Sequence, residues 1–483
     1  MFIIPHPSPM QQKTLHLLLH VLILIILLLS FPFIYMQDMQ DMQFHDVTLH
    51  QLTTPSPPSS SSPSPSPSPH SLPLIPRHHL HPTTTTNHSH SQYSLNSLLL
   101  RDQLRVSSLT HLLSPYSSYH LSDFSSSITS GLDLGSGEYF IRIGVGSPPR
   151  PQYLILDSGS DVLWLQCLPC SQCYSQSDPI YNPSFSSSFS SIPCSSSLCS
   201  LLTPNSGCTH SGHCLYQLSY SDGSFTKGTL AFETLTFGST TITNVAIGCG
   251  HRNSGLFTGA SGLLGLGSGP ISFISQLAGQ LGGAFSYCLL SRGADSSSTG
   301  SLIFGRSSAV PVGAVWVPLL RNPRFPSFYY IALAGLAVGG QPLPLTGDLF
   351  RLTEDGDNGV VIDTGTAVTR FPAPAYGVLR DAFVASTAGL PRAEGVSIFD
   401  TCYNLFGFES VRVPTVALLF AGGTTLTLPA RNFLIPVDDS GRFCFAFAAS
   451  SNGLSIIGNI QQEGIQISFD TSNGFVGFGP NTC

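Results

Sequence analysis

Short runs of apolar and β-branched residues alternate with turn residues through most of the chain after residue 136. Runs of this length, bounded by Gly, Pro, Asn or Ser, are typical of β-strands; we predict strands at residues 229–237, 301–304, 328–338 and 476–478. Two segments, residues 271–281 and 373–386, are predicted to be helices instead. The pattern therefore predicts a mainly β protein, mostly antiparallel and with few helices.

The amino-terminal region has a different pattern. Residues 17–35 are almost continuously apolar, which directs a chain to the secretory pathway, either as a cleaved signal peptide (residues 1–36) or as a retained signal anchor. Residues 37–92 are rich in Pro, Ser, Thr and His and are predicted to be disordered, because they offer little apolar surface to bury. A metal site at His78, His79 and His81 is an alternative, but polar low-complexity sequence explains these histidines better, and no metal is expected.

A third segment, residues 93–135, separates this tract from the strand-rich region. The leucine spacing in residues 94–113 predicts an amphipathic helix that carries Arg101 and Arg105. We expect this segment to be a prosegment whose arginines neutralise acidic groups, with a cut near residues 134–138, where Gly135-Ser136-Gly137 is flexible; the alternative is that the helix is only a folding aid.

Composition limits the remaining possibilities. A chain of 483 residues with 42% hydrophobic residues has material for two cores, and we expect lobes at residues 136–310 and 311–483. Charged residues make up only 9% of the chain and the net charge is −7. Nucleic acid and anionic membrane surfaces are therefore not expected as partners.

The sequence repeats a short motif that carries a carboxylate. Asp157-Ser158-Gly159-Ser160 follows the apolar run 153–156, and Asp363-Thr364-Gly365-Thr366 follows the run 359–362. One copy alone is also ordinary turn chemistry. Two copies supply the matched carboxylates that a shared-proton acid pair needs, one ionised as a base and the other protonated as an acid.

Further motifs stand at fixed places around these two copies. Trp164 lies in the apolar run 162–165, Tyr220 lies in the sequence Ser219-Tyr220-Ser221-Asp222-Gly223-Ser224, and residues 263–265 and 456–458 each read apolar-apolar-Gly. With these motifs, residues 136–483 resemble pepsin-like aspartic proteases, most closely the cysteine-rich nepenthesin-type branch of plants. The chain departs from that pattern in Ser221, where the family usually has Gly, and in the order of the two motifs, since Asp-Ser-Gly precedes Asp-Thr-Gly. Ser and Thr offer the same hydroxyl, so the reversed order gives no reason to doubt activity.

The resemblance implies a fold and a site. The fold is bilobal, with two β-barrel-like lobes and the cleft between them. Asp157 and Asp363 would be the catalytic pair, Gly159 and Gly365 backbone donors to the inner carboxylate oxygens, and Ser160 and Thr366 hydroxyl donors to the outer ones. Tyr220 would close the cleft as a flap residue held by Trp164, although either aromatic residue taken alone is also consistent with a core position.

The resemblance also implies an activity: hydrolysis of peptide bonds in polypeptide substrates at acidic pH, without a cofactor. Inhibition by pepstatin-type compounds, a monomeric state and an extracellular or vacuolar location, with membrane contact only through an amino-terminal anchor, complete this expectation.

All 12 cysteines lie between Cys167 and Cys483. In a secretory protein an even set predicts disulfides, whereas in the cytosol Cys167-x-x-Cys170-x-x-Cys173 would also fit a zinc or redox site. The resemblance implies a Cys-rich insert at residues 167–214 and these pairs: Cys167–Cys170, Cys173–Cys249, Cys194–Cys214, Cys199–Cys208, Cys288–Cys483 and Cys402–Cys444.

Two other function classes compete with this one. A serine hydrolase of the nucleophile-elbow type needs Gly-x-Ser-x-Gly, which the sequence lacks. A catalytically inactive binding or inhibitor protein is the stronger alternative, because some plant relatives keep the fold and inhibit secreted glycosidases. Those relatives typically disrupt one Asp motif, and both motifs are intact here, which favours the enzyme.

Overall fold

The computed structural model describes residues 42–49, 124–130, 139–202, 206–220, 223–255, 257, 259–291, 300–305, 313–438, 440–450 and 453–480. The strands of its first half are β1 Phe44–Thr48, β2 Phe124–Ser130, β3 Tyr139–Val145, β4 Arg150–Asp157, β5 Trp164–Gln166, β6 Ser190–Ser191, β7 Ser206–Cys208, β8 Cys214–Ser219, β9 Phe225–Phe237, β10 Thr240–Ser254, β11 Gly262–Gly265, β12 Ala284–Cys288 and β13 Gly300–Phe304.

The second half is also strand-rich. Its strands are β14 Val315–Leu320, β15 Tyr329–Ile331, β16 Leu333–Val338, β17 Gln341–Pro342, β18 Val360–Ile362, β19 Thr369–Pro372, β20 Arg392–Ala393, β21 Cys402–Asn404, β22 Ser410–Pro414, β23 Val416–Phe420, β24 Thr425–Thr427, β25 Leu434–Pro436, β26 Arg442–Phe445, β27 Phe447–Ser450, β28 Ser455–Ile457, β29 Ile465–Asp470 and β30 Phe475–Pro480.

Helices are few and short in the described residues. They are α1 Ser197–Ser200, α2 Phe273–Gln276, α3 Ala278–Leu281, α4 Ala373–Ser386 and α5 Asn459–Gln462, with 3₁₀ turns at Pro183–Phe185, Gly347–Phe350 and Ala430–Asn432. The prediction for α4 is confirmed, and its buried residues Tyr376, Leu379 and Phe383 recur at helical spacing. The helix predicted at 271–281 is instead two short helices, because the backbone leaves helical geometry at Leu277.

The two lobes, residues 139–305 and 313–480, are joined by one antiparallel sheet. Its strands follow the order β2, β13, β12, β29, β30, β14, so three come from the first half of the chain and three from the second. Phe285 on β12 stacks on Phe469 on β29 with ring centroids 4.7 Å apart. Burial of such aromatic pairs stabilises the contact between the lobes, and the predicted bilobal, mainly β fold is confirmed.

Each lobe repeats one arrangement of parallel strands. In the first lobe β4 pairs with β11 and β5 with β10; in the second lobe β18 pairs with β28 and β19 with β27. The apolar-apolar-Gly segments at 263–265 and 456–458 thus lie directly beside the strands that precede the two Asp motifs. Both motifs are therefore carried by rigid, buried strands of the same local design.

The disulfide pattern differs from the expected one in the Cys-rich insert. The expected pairs Cys167–Cys170 and Cys173–Cys249 are wrong: the structure has Cys167–Cys249 and Cys170–Cys173. The reason is strand register, since β5 runs parallel to β10 with Leu165 opposite Cys249 and carries Cys167 alongside it. Cys170 and Cys173 both lie in the loop that follows.

The expected pairs Cys194–Cys214 and Cys199–Cys208 are also wrong. The structure has Cys194–Cys208 and Cys199–Cys214. Cys199 and Cys214 are both buried in one apolar cluster, whereas Cys208 is exposed and Cys194 half-buried. The two buried cysteines therefore pair with each other, and the two more exposed cysteines form the second bridge.

In the second lobe the structure contains the expected Cys402–Cys444 bridge, between directly opposed residues of β21 and β26. Cys288 is disulfide-bonded, and its expected partner Cys483 lies outside the described residues.

Two amino-terminal strands lie within the expected disordered tract and the expected prosegment. Disorder is expected throughout residues 37–92, but β1 within them pairs with β22. The expected prosegment, residues 93–135, contains β2, whose Phe124 and Ile128 are buried in the main core. The remaining parts of these segments, including the histidines at 78, 79 and 81, the arginines at 101 and 105 and the expected cut at 134–138, lie outside the described residues.

No helix among the described ranges is long and apolar enough to span a membrane. The apolar run 17–35, for which a signal peptide or anchor is expected, is not part of those ranges.

We predict that the protein processed in acid begins before Phe124. A cut at residues 134–138 would detach β2, which pairs with both β13 and β3, and would expose the apolar side chains of Phe124 and Ile128. Amino-terminal sequencing and intact mass of the processed protein test this. An amino terminus between residues 131 and 138 in a stably folded product would contradict it.

Candidate active site

The two Asp motifs meet where β4 and β18 end. Asp157 is the last residue of β4, and Asp363 directly follows β18. A Cβ atom on Gly159 would lie 2.6 Å from Asp363 Oδ1, and one on Gly365 would lie 2.5 Å from Asp157 Oδ1. Only glycine at these two positions lets each loop approach the opposing carboxylate so closely.

Reciprocal hydrogen bonds tie the two loops together. The backbone N–H of Ser158 donates to Thr364 Oγ1 at 3.0 Å, and the backbone N–H of Thr364 donates to Ser158 Oγ at 3.0 Å. Each hydroxyl also donates onward, Thr364 to the carbonyl of Leu156 at 2.9 Å and Ser158 to that of Ile362 at 3.4 Å. Both side chains are fully buried, so every polar atom here has a partner inside the protein.

Each carboxylate receives matching donors from its own loop. Asp157 accepts from the Gly159 N–H at 2.9 Å on Oδ1 and from the Ser160 hydroxyl at 2.5 Å on Oδ2. Asp363 accepts from the Gly365 N–H at 2.9 Å and from the Thr366 hydroxyl at 2.6 Å in the same way. The oxygens that bind the glycine amides are those that face the opposite loop, so each carboxylate has an inner oxygen bound by a backbone amide and an outer oxygen bound by a hydroxyl.

The electrostatics of the pair favour one bound proton. Burial and the adjacent Asp363 raise the pKa of Asp157, while the donors from Ser160 and Gly159 oppose the rise. Two carboxylates this close in a site of low dielectric cannot both ionise without a large repulsion. The pair can therefore hold one acid and one base at the same time and titrates as a unit.

The aromatic pair expected at the flap is also in contact. Trp164 Nε1 donates to the Tyr220 hydroxyl at 2.7 Å. Tyr220 closes the hairpin between β8 and β9, since its N–H donates to the carbonyl of Ser224 at 2.8 Å. Burial and the negative charge of Asp157 raise the pKa of Tyr220, so this phenol stays neutral and can donate a hydrogen bond. Ser221 and Asp222 at the tip lie outside the described residues.

Sequence reasoning missed several residues around the site. Phe257 packs edge-on against both Trp164 and Tyr220, with ring centroids 5.1 and 5.7 Å away. Asp161 accepts from the Ser327 hydroxyl at 2.5 Å and from the Gly269 N–H at 2.9 Å, and so bridges the two lobes. The position of Asp161, directly after the first Asp motif, could have marked it as part of the site. Nothing in the sequence around Phe257 marks that residue in the same way.

Three polar side chains hold the loop of the second Asp motif by hydrogen bonds to its backbone carbonyls and to one another. Gln462 Nε2 donates to the carbonyl of Asp363 at 3.2 Å, and the Tyr287 hydroxyl donates to Gln462 Oε1 at 2.6 Å. Asn459 Nδ2 donates to the carbonyl of Thr364 at 3.0 Å. Helix α5, which follows the apolar-apolar-Gly segment 456–458, supplies both amides.

Comparison with known proteins identifies the family. A family model described as "Xylanase inhibitor N-terminal" matches residues 139–306, and one described as "Xylanase inhibitor C-terminal" matches residues 328–480. The protein ASPARTIC PROTEASE IN GUARD CELL 2 of Arabidopsis thaliana is 61% identical over 86% of this chain and 88% of its own length. The chain belongs to the pepsin-like aspartic protease family.

Within that family the chain falls in the nepenthesin-type plant branch. Aspartic proteinase nepenthesin-1 of Nepenthes gracilis is 41% identical over 74% of this chain and 81% of its own length. Among solved structures, edgp has a TM-score of 0.61 at 20% identity and covers 76% of this chain and 96% of its own. Soybean basic 7S globulin has a TM-score of 0.60 at 19% identity and covers 74% and 96%. At these identities the two structures show the shared pepsin-like fold alone.

The site holds two carboxylates in contact but no larger set of metal-ligating groups. No cluster of three or more His, Cys, Asp or Glu side chains suited to a metal occurs within the described residues. The cysteines at 167, 170 and 173 are all in disulfides.

The raised pKa of Asp157 predicts a stability effect of Asp157→Asn. Because the folded protein binds the Asp157 proton more tightly than the unfolded chain does, the carboxyl destabilises the fold increasingly as pH rises above its unfolded pKa of 3.8. Asn stays neutral, so the variant should be more stable than the parent by about 1 kcal/mol or more at pH 7, with the gain shrinking toward pH 3. Thermal and urea unfolding across this pH range measure it.

The matched control is Asp355→Asn, because Asp355 is exposed. We expect no comparable gain for it at any pH. An Asp157→Asn protein that is less stable than the parent at pH 7 would contradict the account of the pair.

Proposed function

We propose that the protein is an aspartic endopeptidase that hydrolyses peptide bonds through a water activated between Asp157 and Asp363. The observation that carries the proposal is the pair of carboxylates, each within contact of the opposite loop and each with its own matched donors. A pair that shares one proton supplies an acid and a base at one reacting centre. Aspartic proteases are the established example of this chemistry, in which like charges about 3 Å apart cannot both ionise.

The mechanism follows from the charge state of the pair. One carboxyl of the pair holds the shared proton and the other is ionised and acts as the base. The ionised carboxylate takes a proton from the water as the water oxygen bonds to the peptide carbonyl carbon, while the protonated carboxyl gives its proton to the carbonyl oxygen. The tetrahedral intermediate then collapses with proton transfer to the leaving nitrogen. No covalent bond to the enzyme forms.

The geometry of the flap supports an extended polypeptide as the substrate. Tyr220, in the hairpin between β8 and β9, lies close enough to Asp157 for that carboxylate to raise its pKa, and Trp164 and Phe257 hold its side chain. A substrate held as an added strand under this hairpin would be shielded from water. Pepstatin-type inhibitors imitate such an extended chain, so we expect them to bind here.

The amino-terminal features support a zymogen of the secretory pathway. We propose that the apolar run 17–35 directs export to the extracellular space or the vacuole, as a signal peptide or an anchor, and that the mature protein is monomeric. The removable segment would end before β2 and include the arginines at 101 and 105. As pH falls, carboxylates that pair with those arginines protonate, and the segment detaches.

A second candidate is an inactive inhibitor of secreted glycosidases, and the description of the matching family models favours it. An inhibitor does not need the acid pair. The intact geometry of both Asp motifs in this chain therefore supports the enzyme over the inhibitor.

We predict that Asp157→Asn and Asp363→Asn each reduce peptide cleavage by at least about 1000-fold, because either change removes the shared-proton chemistry. The measurement is digestion of a peptide library at about pH 4 by acid-treated protein, with and without a pepstatin-type inhibitor. Asp355→Asn is the control and should cleave like the parent. Near-normal cleavage by either site variant, or xylanase inhibition by a parent protein that cleaves nothing, would overturn the proposal.

A further inference from the structure

The second lobe binds an amino-terminal segment of the chain as an added strand. Strand β1 runs antiparallel to β22, from Phe44 opposite Pro414 to Thr48 opposite Ser410. Hydrogen bonds continue beyond both ends: the Leu49 N–H donates to the carbonyl of Glu409 at 3.0 Å, and the Thr415 N–H donates to that of Gln43 at 3.1 Å. Of the described strands, β1 is the one that pairs with β22, so this segment covers an otherwise open edge.

Two side chains of the segment pack against apolar side chains of β22. Val47 and Leu49 are buried, and they belong to the same core cluster as Val411 and Val413 on β22. Burying two aliphatic side chains favours docking by about 3–5 kcal/mol before entropic costs. Alternate residues of an added strand commonly supply specificity in this way.

The amino-terminal end of the segment, at Gln43, binds to a turn that contains Gly339. The Gln43 N–H donates to the carbonyl of Gly339 at 2.6 Å. Gly339 has φ +61°, and a Cβ there would lie 2.6 Å from Met42 Cε. Glycine at position 339 therefore permits both the left-handed backbone of the turn and the close packing of Met42 against it. None of these contacts involves the acid pair or the aromatic residues of the flap.

His45 is the group in this interface whose ordinary pKa, 6.5, lies between neutral and acidic pH. Its ring lies 6.3 Å from that of Phe433, and its Nε2 is buried without a hydrogen-bond partner among the described residues. Burial lowers the pKa of His45, and a hydrogen bond with the backbone of Leu428 opposes this only partly. A protonated ring would place a charged N–H where it finds no acceptor.

The charged groups of the surrounding elements do not offset this cost. Asp46 and Arg412 project to the exposed face and lie 3.9 Å from each other. Arg431, two residues before Phe433, is half-buried and interacts electrostatically with Glu463. Protonation of His45 therefore weakens docking, which is strongest above the ordinary pKa of 6.5 and declines as pH falls below it.

We propose that the β22 edge of the second lobe is a docking site for an extended peptide, that residues 42–49 occupy it in cis at neutral pH, and that acidification releases them. This site ties the amino-terminal region to the second lobe independently of the catalytic cleft. Neither docking of residues 42–49 nor their release requires peptide-bond cleavage.

Hydrogen exchange of the full chain tests the proposal, in an Asp363→Asn background so that acid cannot start self-cleavage. At pH 7.4 the amides that the register places in hydrogen-bonded pairs within residues 44–48 and 410–413, those of His45, Val47, Val411 and Val413, should be protected. Lowering the pH to 5.0 should reduce their protection, corrected for intrinsic exchange, while that of residues 360–362 in β18 stays constant. His45→Gln, which cannot titrate, should remove this pH dependence.

Two further variants test the surface itself. Val47→Asp, which buries a carboxylate, should reduce protection of residues 410–413 by about 100-fold or more at pH 7.4. Thr48→Asp changes the adjacent exposed residue and should leave it nearly unchanged. Full protection of residues 410–413 in Val47→Asp, or equal protection of the parent at both pH values, would overturn the proposal. The pH comparison stands even if Val47→Asp does not fold.

Discussion

The structure depends on keeping two carboxylates in contact inside a protein. Asp157 and Asp363 repel each other when both are ionised, and burial strengthens the repulsion because little water screens it. A fold tolerates such a pair only if the loops that carry it are held from both sides. The reciprocal bonds between Ser158 and Thr364 do this, because each residue offers one amide donor and one hydroxyl to the other loop.

The architecture behind the loops serves the same constraint. Each Asp leaves a buried strand that pairs in parallel with an apolar-apolar-Gly segment, so the two halves present their carboxylates in equivalent ways. The sheet shared by the lobes fixes the distance between them, and the bridge from Asp161 to Ser327 adds a second connection near the site. The reversed order of Ser and Thr in the two motifs is neutral here, since the cross-loop bonds use only the hydroxyl that both residues have.

Features that depend on a few neighbouring residues could be predicted from the sequence. The strand-turn signal located both Asp motifs, and the spacing of apolar residues located the helix at 373–386. Contacts between segments far apart in the chain could not be predicted in this way. The bridge from Cys167 to Cys249 follows from the register of β5 on β10, which no local pattern encodes. Strand β1 lies near a low-complexity tract and forms because β22, far along the chain, offers an open edge.

A double-mutant cycle of Ser158→Ala and Thr364→Val tests the central claim, that the two loops act as one hydrogen-bonded unit. The free energy of unfolding and kcat/KM at acidic pH are measured for the parent, both single variants and the double variant. Because each single change leaves a different buried amide unsatisfied, we expect a cost of about 1–3 kcal/mol each in stability. If the loops act as one unit, the first change already loosens the contact between them, so the second change costs less and the double variant loses clearly less than the sum. Additive losses within about 0.5 kcal/mol, with kcat/KM unchanged, would show that the carboxylates are held in place by something else.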